Sequence, residues 1–124
     1  MAIQFTTIVD ENTLVVHATG FDENLSQVRN YGLAIINAAK EHGVTRVLCD
    51  ELELEYRLGT FDTYEAAAFI SSQAPSVSRA AIVCRADSLA DALFWETVAV
   101  NRGLVVRVFK EIAPAKAWLD GLVP

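Results

Sequence analysis

Past residue 20 the sequence alternates between segments of helical period and short apolar, β-rich runs. Residues 24–42, 61–73, 89–102 and 115–122 carry the helical spacing, and 45–49 (TRVLC), 79–84 (RAAIVC) and 104–109 (LVVRVF) lie between them. Few folds satisfy such alternation: each strand returns parallel to the last through a right-handed helical crossover, building one sheet with helices packed on it. Upstream, 3–9 (IQFTTIV) and 13–19 (TLVVHAT) flank Asp10-Glu11-Asn12 and read as an antiparallel hairpin. Ile3, Phe5 and Thr7 alternate with Gln4 and Thr6, the pattern of a half-wet strand near an edge. Leu14-Val15-Val16 is continuous, which predicts burial on both faces, and Gly20 ends that strand. The predicted fold class is α/β: a mixed, mostly parallel sheet in the order β-β-α-β-α-β-α-β-α. With 124 residues the chain is expected to form one domain, 1–124, because domains run to roughly 100–200 residues.

Local signals place the helix ends. On the first helix Leu25, Val28, Gly32, Ile35, Ile36 and Ala39 share a face, Asn24 with Gln27 has capping-box spacing, and Gly43 is the expected stop. Gly32 costs about 1 kcal/mol of helix propensity against Ala, so its place on the apolar face predicts a close approach by a neighbouring element. Thr60 or Asp62, the latter with Glu65, is the expected cap of the second helix, and Ser88 with Asp91 that of the third. Pro114 is expected at the first position of the last helix, whose Ala115, Trp118, Leu119 and Leu122 share a face.

Charge and composition exclude several classes. Ten basic against sixteen acidic residues give a net charge of −6, the wrong sign for a general nucleic-acid binder. Residues 1–62 hold ten acids and four bases, whereas 63–124 hold six of each. Most of the asymmetry is the run Asp50-Glu51-Leu52-Glu53-Leu54-Glu55, which reads as a solvated loop or, alternatively, as part of a partner surface. The residues MAIQFTTIVDENTL have no positive region ahead of an apolar one, and no apolar run approaches about 18 residues. A cytoplasmic setting with no integral membrane segment is therefore expected.

Few residues invite chemistry. Cys49 and Cys84 close apolar strands and read as small hydrophobes, not as a disulfide or a nucleophile. His17 lies among apolar residues, and His42 falls where an imidazolium suits a helix C-terminus. No metal-ligand spacing occurs, and the isolated glycines form neither a dinucleotide-binding nor a Walker loop, so no metal or cofactor is expected. In a sheet of this type ligands bind beyond the carboxyl ends of the parallel strands. That edge should gather Asp50, Arg85 and Lys110 with the starts of the second and third helices, at Thr60, Thr63 and Ser88. Backbone N–H groups there could hold a small anion, with Arg85 or Lys110 adding charge; the plainer reading is a rim of caps and ion pairs, Arg85 with Asp50 or Asp87. Phe61, Tyr64, Phe94 and Trp95 are candidates for a subunit interface, since adjacent Phe94 and Trp95 cannot face one core, although ordinary core packing also accounts for them.

The stretches Phe94-Trp95-Glu96-Thr97-Val98-Ala99-Val100-Asn101-Arg102-Gly103, Val106-Arg107-Val108-Phe109 and Ala117-Trp118-Leu119 resemble the STAS-like proteins related to the bacterial anti-sigma-factor antagonist of sporulation. Glu41-His42-Gly43-Val44-Thr45-Arg46-Val47-Leu48-Cys49-Asp50 carries the same resemblance. It implies a mixed sheet flanked by helices, a bacterial cytosolic setting, and work done through protein contacts, often as a homodimer. The fold is also described as shared with the C-terminal lobe of CRAL-TRIO lipid-transfer proteins, which makes a lipid-like ligand a further expectation. In true antagonists a kinase phosphorylates a serine of an Asp-Ser-Ser-Gly stretch at the start of the second helix. The matching stretch here, Leu58-Gly59-Thr60-Phe61-Asp62-Thr63-Tyr64-Glu65, lacks that motif and offers Thr60 and Thr63 instead. The function expected is a non-enzymatic regulatory or scaffolding domain acting through protein contacts, the alternative being a module for a small anionic or lipid-like ligand.

Overall fold

In the computed structural model, which describes residues 3–124, strands β1 (Ile3–Asp10) and β2 (Thr13–Phe21) form the expected hairpin. Its turn holds Glu11 and Asn12, with Glu11 in the left-handed region at φ 56°. Helix α1 (Leu25–Glu41) leads to β3 (Arg46–Glu55), α2 (Thr60–Ser72) to β4 (Arg79–Cys84), and α3 (Leu89–Asn101) to β5 (Val106–Phe109). Helix α4 (Ile112–Leu119) follows. The sheet order is β1-β2-β3-β4-β5, with β1 antiparallel to β2 and every later pair parallel. The α/β class and the alternating order are thus as read from the sequence.

Strand succession in a single direction decides the layers. Right-handed crossovers between successive neighbours place α1, α2 and α3 on one face of the sheet. There Leu14, Val16, Ala18, Val47 and Cys49 pack against Tyr31, Ile35 and Ala39 of α1. Leu104 and Val106 pack with Ile36 of α1 and Ala99 of α3. Helix α4 is no crossover and covers the opposite face, where Ala115, Trp118 and Leu119 meet Leu48, Ala81 and Val83. Its main contacts lie on β3, β4 and β5, with Val15 of β2 packed at their margin, so most of the β1–β2 part of that face stays open. Among the described residues no helix is long and apolar enough to cross a membrane.

Several local expectations need correction. The acidic run is no loop: β3 continues through Glu55, with Glu51 and Leu54 buried. Pairing with β2 and β4 holds these residues in the sheet, which outweighs their mutual repulsion because Glu53 and Glu55 still reach solvent. Cys49 and Asp50 therefore sit mid-strand. Gly59, not Thr60 or Asp62, is the N-cap of α2, and Thr60 is its first helical residue. Ser88 does occupy the N-cap position of α3, as expected, but it also ends a single 3-10 turn over Ala86–Ser88 and makes no side-chain cap bond, its hydroxyl lying 3.5 Å from Asp87 Oδ1. Pro114 is the third residue of α4, still in the first turn, where a missing N–H costs no intrahelical bond. At α1, by contrast, the Gln27 N–H donates to Asn24 Oδ1 (2.9 Å), as its spacing predicts.

Gly32 marks the close approach foreseen for it. A Cβ there would lie 2.6 Å from Ile70 Cδ1 and 2.7 Å from Ile70 Cγ1, so α2 rests directly on the α1 backbone. Gly32→Val is expected to lose about 1–3 kcal/mol in urea denaturation, the usual cost of overpacking. Gly32→Ala should lose less, because about 1 kcal/mol of helix propensity offsets the displacement of Ile70.

Candidate functional site

The layer between the sheet and helices α1, α2 and α3 is not filled. A cavity of about 140 Å³ runs from Ala74, Ile36 and Leu104 at one end to Asp22, Leu58, Thr63 and Asp91 at the other. Its walls are overwhelmingly apolar, with Ile70, Ala92 and Trp95 from α2 and α3 facing Val47, Ala80 and Ile82 of the sheet. Asp91 is exposed and Thr63 half-buried, so the far end reaches the surface. That end lies at the carboxyl edge of the parallel strands, where folds of this kind place their ligands.

The polar groups inside centre on Glu51. Period-two alternation along β3 puts Val47, Cys49 and Glu51 on the same face, beneath α1. The Tyr31 hydroxyl donates to Glu51 Oε2 at 2.7 Å, and the Tyr56 hydroxyl donates to Oε1. Burial still pushes the Glu51 carboxyl above its ordinary value of 4.5, since two neutral donors do not replace hydration of the charge. The same burial, with Glu51 beside them, holds both tyrosines well above theirs. Asp22, also buried, accepts the backbone N–H groups of Arg57 and Leu58, the latter at 3.2 Å, and its own N–H donates to the Glu55 carbonyl (3.1 Å). These bonds fix the segment that carries Tyr56. Desolvation raises Asp22 too, and the two backbone donors oppose it.

The candidates chosen from sequence do not form one cluster. Asp50 is a correction: it stands mid-strand on the face opposite Glu51, where Oδ2 lies 3.3 Å from His17 Nδ1. His17 Nε2 is 2.9 Å from Glu53 Oε2, so this histidine lies on the open face between two carboxylates and is not packed in the core. A register shift between His17 and Thr19 brings Glu53 into that group. Arg85 donates twice to Asp87, Nε to Oδ1 at 3.0 Å and Nη2 to Oδ2 at 2.9 Å, with buried Ser88 alongside. Lys110 is exposed just past β5. Thr60 is exposed, whereas Thr63 lines the cavity and its hydroxyl donates to the Gly59 carbonyl (2.9 Å). Phe61 is 73% exposed, and Tyr64 and Phe94 are also open. Trp95 is another correction, for it turns inward against Ile36 and Ala99 and lines the cavity.

Among the described residues neither thiol is hydrogen-bonded to a histidine. Cys49 packs beneath α1, so the sheet itself separates it from His17. Burial pushes the Cys49 thiol well up, and that of Cys84 to about 11. Among the described residues no group of His, Cys, Asp and Glu has the arrangement of a metal site.

Glu51, Tyr31, Tyr56 and Asp22 were not singled out by sequence reasoning. The signal was present for Glu51: carrying the Val47–Cys49 alternation two residues further reaches it.

No family model matches the chain. No curated protein matches it either. Solved structures do. An anti-sigma factor antagonist from Mycobacterium paratuberculosis superposes with a TM-score of 0.67 at 13% identity, over 95% of this chain and 94% of that one. A protein of the DUF3478 family with a SpoIIAA-like fold, from Shewanella loihica PV-4, gives 0.57 at 16% identity over the same shares. The chain thus has the STAS, or SpoIIAA-like, fold.

Two outcomes test the site. Native protein at pH 7.5 should react slowly with a thiol reagent and rapidly once unfolded; fast native labelling of Cys49 would contradict its burial. For Glu51 the sign follows from linkage: a carboxyl raised on folding contributes stability below its unfolded value, and that contribution is lost as pH rises through the folded one. The stability of wild type relative to Glu51→Gln should accordingly fall as pH rises from 4.5 into the neutral range. Urea denaturation of both proteins across that range measures the difference, from which carboxyls not coupled to Glu51 cancel.

Proposed function

We propose that this chain is a non-enzymatic regulatory domain of the cytoplasm that acts through protein contacts and pairs with itself as a homodimer. The observation that carries the reading is the outer surface of α2 and α3. These helices pack on each other and together leave Phe61, Tyr64, Leu93, Phe94 and Val100 exposed. Residues of this kind on an outer face, in a chain this small, favour association. Arg102 at the end of α3 donates to the Tyr64 hydroxyl at 2.6 Å and lies 5.5 Å from its ring centroid, which holds that ring in place on the outer surface. The likeness in fold to an anti-sigma factor antagonist agrees with a role in binding proteins. So does the burial of both thiols, neither of which is hydrogen-bonded to a histidine among the described residues.

Thr60 belongs to the same surface. It is exposed at the start of α2, beside Phe61. A phosphate there would add about −1.5 to −2 of charge, which the helix N-terminus tolerates and an apolar partner does not.

Light scattering at high micromolar concentration should give about twice the 13.6 kDa chain mass. Phe61→Ser combined with Leu93→Ser should return it to the monomer value with its circular dichroism unchanged. A wild-type monomer mass at that concentration would rule out the homodimer.

A further inference from the structure

The cavity beneath α1, α2 and α3 has a chemical character of its own. We propose that it binds a small amphiphilic amine, one ring or a compact alkyl group bearing a single protonated nitrogen that seats against Glu51. Size sets the first limit. At about 140 Å³ the cavity is close to the engineered cavity of about 150 Å³ that takes up benzene, so it suits a single ring and excludes a long acyl chain. Its apolar wall of Val47, Ile70, Ala92 and Trp95 accounts for the ring.

The polar end sets the charge. Three acids, Glu51, Asp22 and Asp91, stand on the lining, and no lysine, arginine or histidine does. An anion would meet only repulsion there. A carboxylate has about four acceptor sites, and the two tyrosine hydroxyls use one on each Glu51 oxygen. Acceptor capacity remains on both. No cation of the described residues pairs with Glu51, all the ion pairs lying elsewhere. A carboxyl that served only to fill space would be better replaced by an apolar or amide side chain, since burying it is costly. An ammonium group supplies the missing counter-charge and donates to the free acceptor sites, at a position the tyrosines hold fixed. Asp91, exposed at the open end, favours entry of the same charge.

The test compares three probes of one size: 2-phenylethylamine, 2-phenylethanol and phenylacetate, titrated into the full chain by NMR. The amine should shift the resonances of Ile70, Ala92 and Trp95 and bind roughly tenfold or more tightly than the alcohol, as a charge-assisted hydrogen bond allows. Phenylacetate should not bind. Glu51→Gln should bring the amine down to the affinity of the alcohol. Ala92→Leu, which fills part of the cavity, should weaken both. Equal affinities for amine and alcohol in wild type would overturn the proposal, as would shifts that avoid the cavity or no shift at all. The wild-type ratio and the Ala92→Leu result decide the matter even where Glu51→Gln is unstable.

Discussion

Each parallel crossover in this molecule joins neighbouring strands, and all three step across the sheet in the same direction. Because a right-twisted strand feeding a helix packs back on the sheet with one hand, that order leaves no choice of side. Three helices must share one face. They form a deep layer there, while the opposite face receives only the eight residues of α4. A sheet whose order reversed midway would divide its helices between both faces and have no such layer. Both the cavity and the open β1–β2 surface, with His17 set between Asp50 and Glu53, follow from this one restriction.

Within the deep layer the costly group is Glu51. Moving a carboxylate into a protein interior costs several kcal/mol even after relaxation, and hydrogen bonds to a charged group return about 1.5–3 kcal/mol each. Two tyrosine hydroxyls therefore offset the cost only in part, which agrees with the upward shift of the carboxyl. Tyr31 reaches it from α1, and Tyr56 from the segment after β3 that Asp22 secures. A helix, a strand and a loop are thus joined at one polar point inside an apolar layer.

Helix α2 serves two surfaces. Ala66 and Ile70 line the cavity, while Phe61 and Tyr64 point outward. Its apolar residues surround it instead of forming a stripe, because it is packed on the α1 backbone at Gly32 and against α3 on its flank. A shared fold at 13% identity leaves such surfaces free to differ, so the chemistry of this domain rests on its own side chains.

Periodicity and turn chemistry alone determined the hairpin, the alternation of strands and helices, and the close contact at Gly32. Each depends on spacing along a few consecutive residues. The helix caps were less legible: Gly59 displaced the polar residues expected to cap α2, and at α3 Ser88 holds the expected position without a side-chain cap bond, because the turn at Ala86–Ser88 precedes the helix. The acidic run was misread because its charge argued for solvent, whereas β2 and β4 on either side claim its backbone for the sheet. With that strand extended, Asp50 and Glu51 fall on opposite faces, one beside His17 and the other beneath α1. Trp95 and Phe94 divide in the same way between cavity and surface. Pairing partners and burial are long-range properties, and only the tertiary structure decided which of these neighbouring side chains met water and which met Tyr31 and Tyr56.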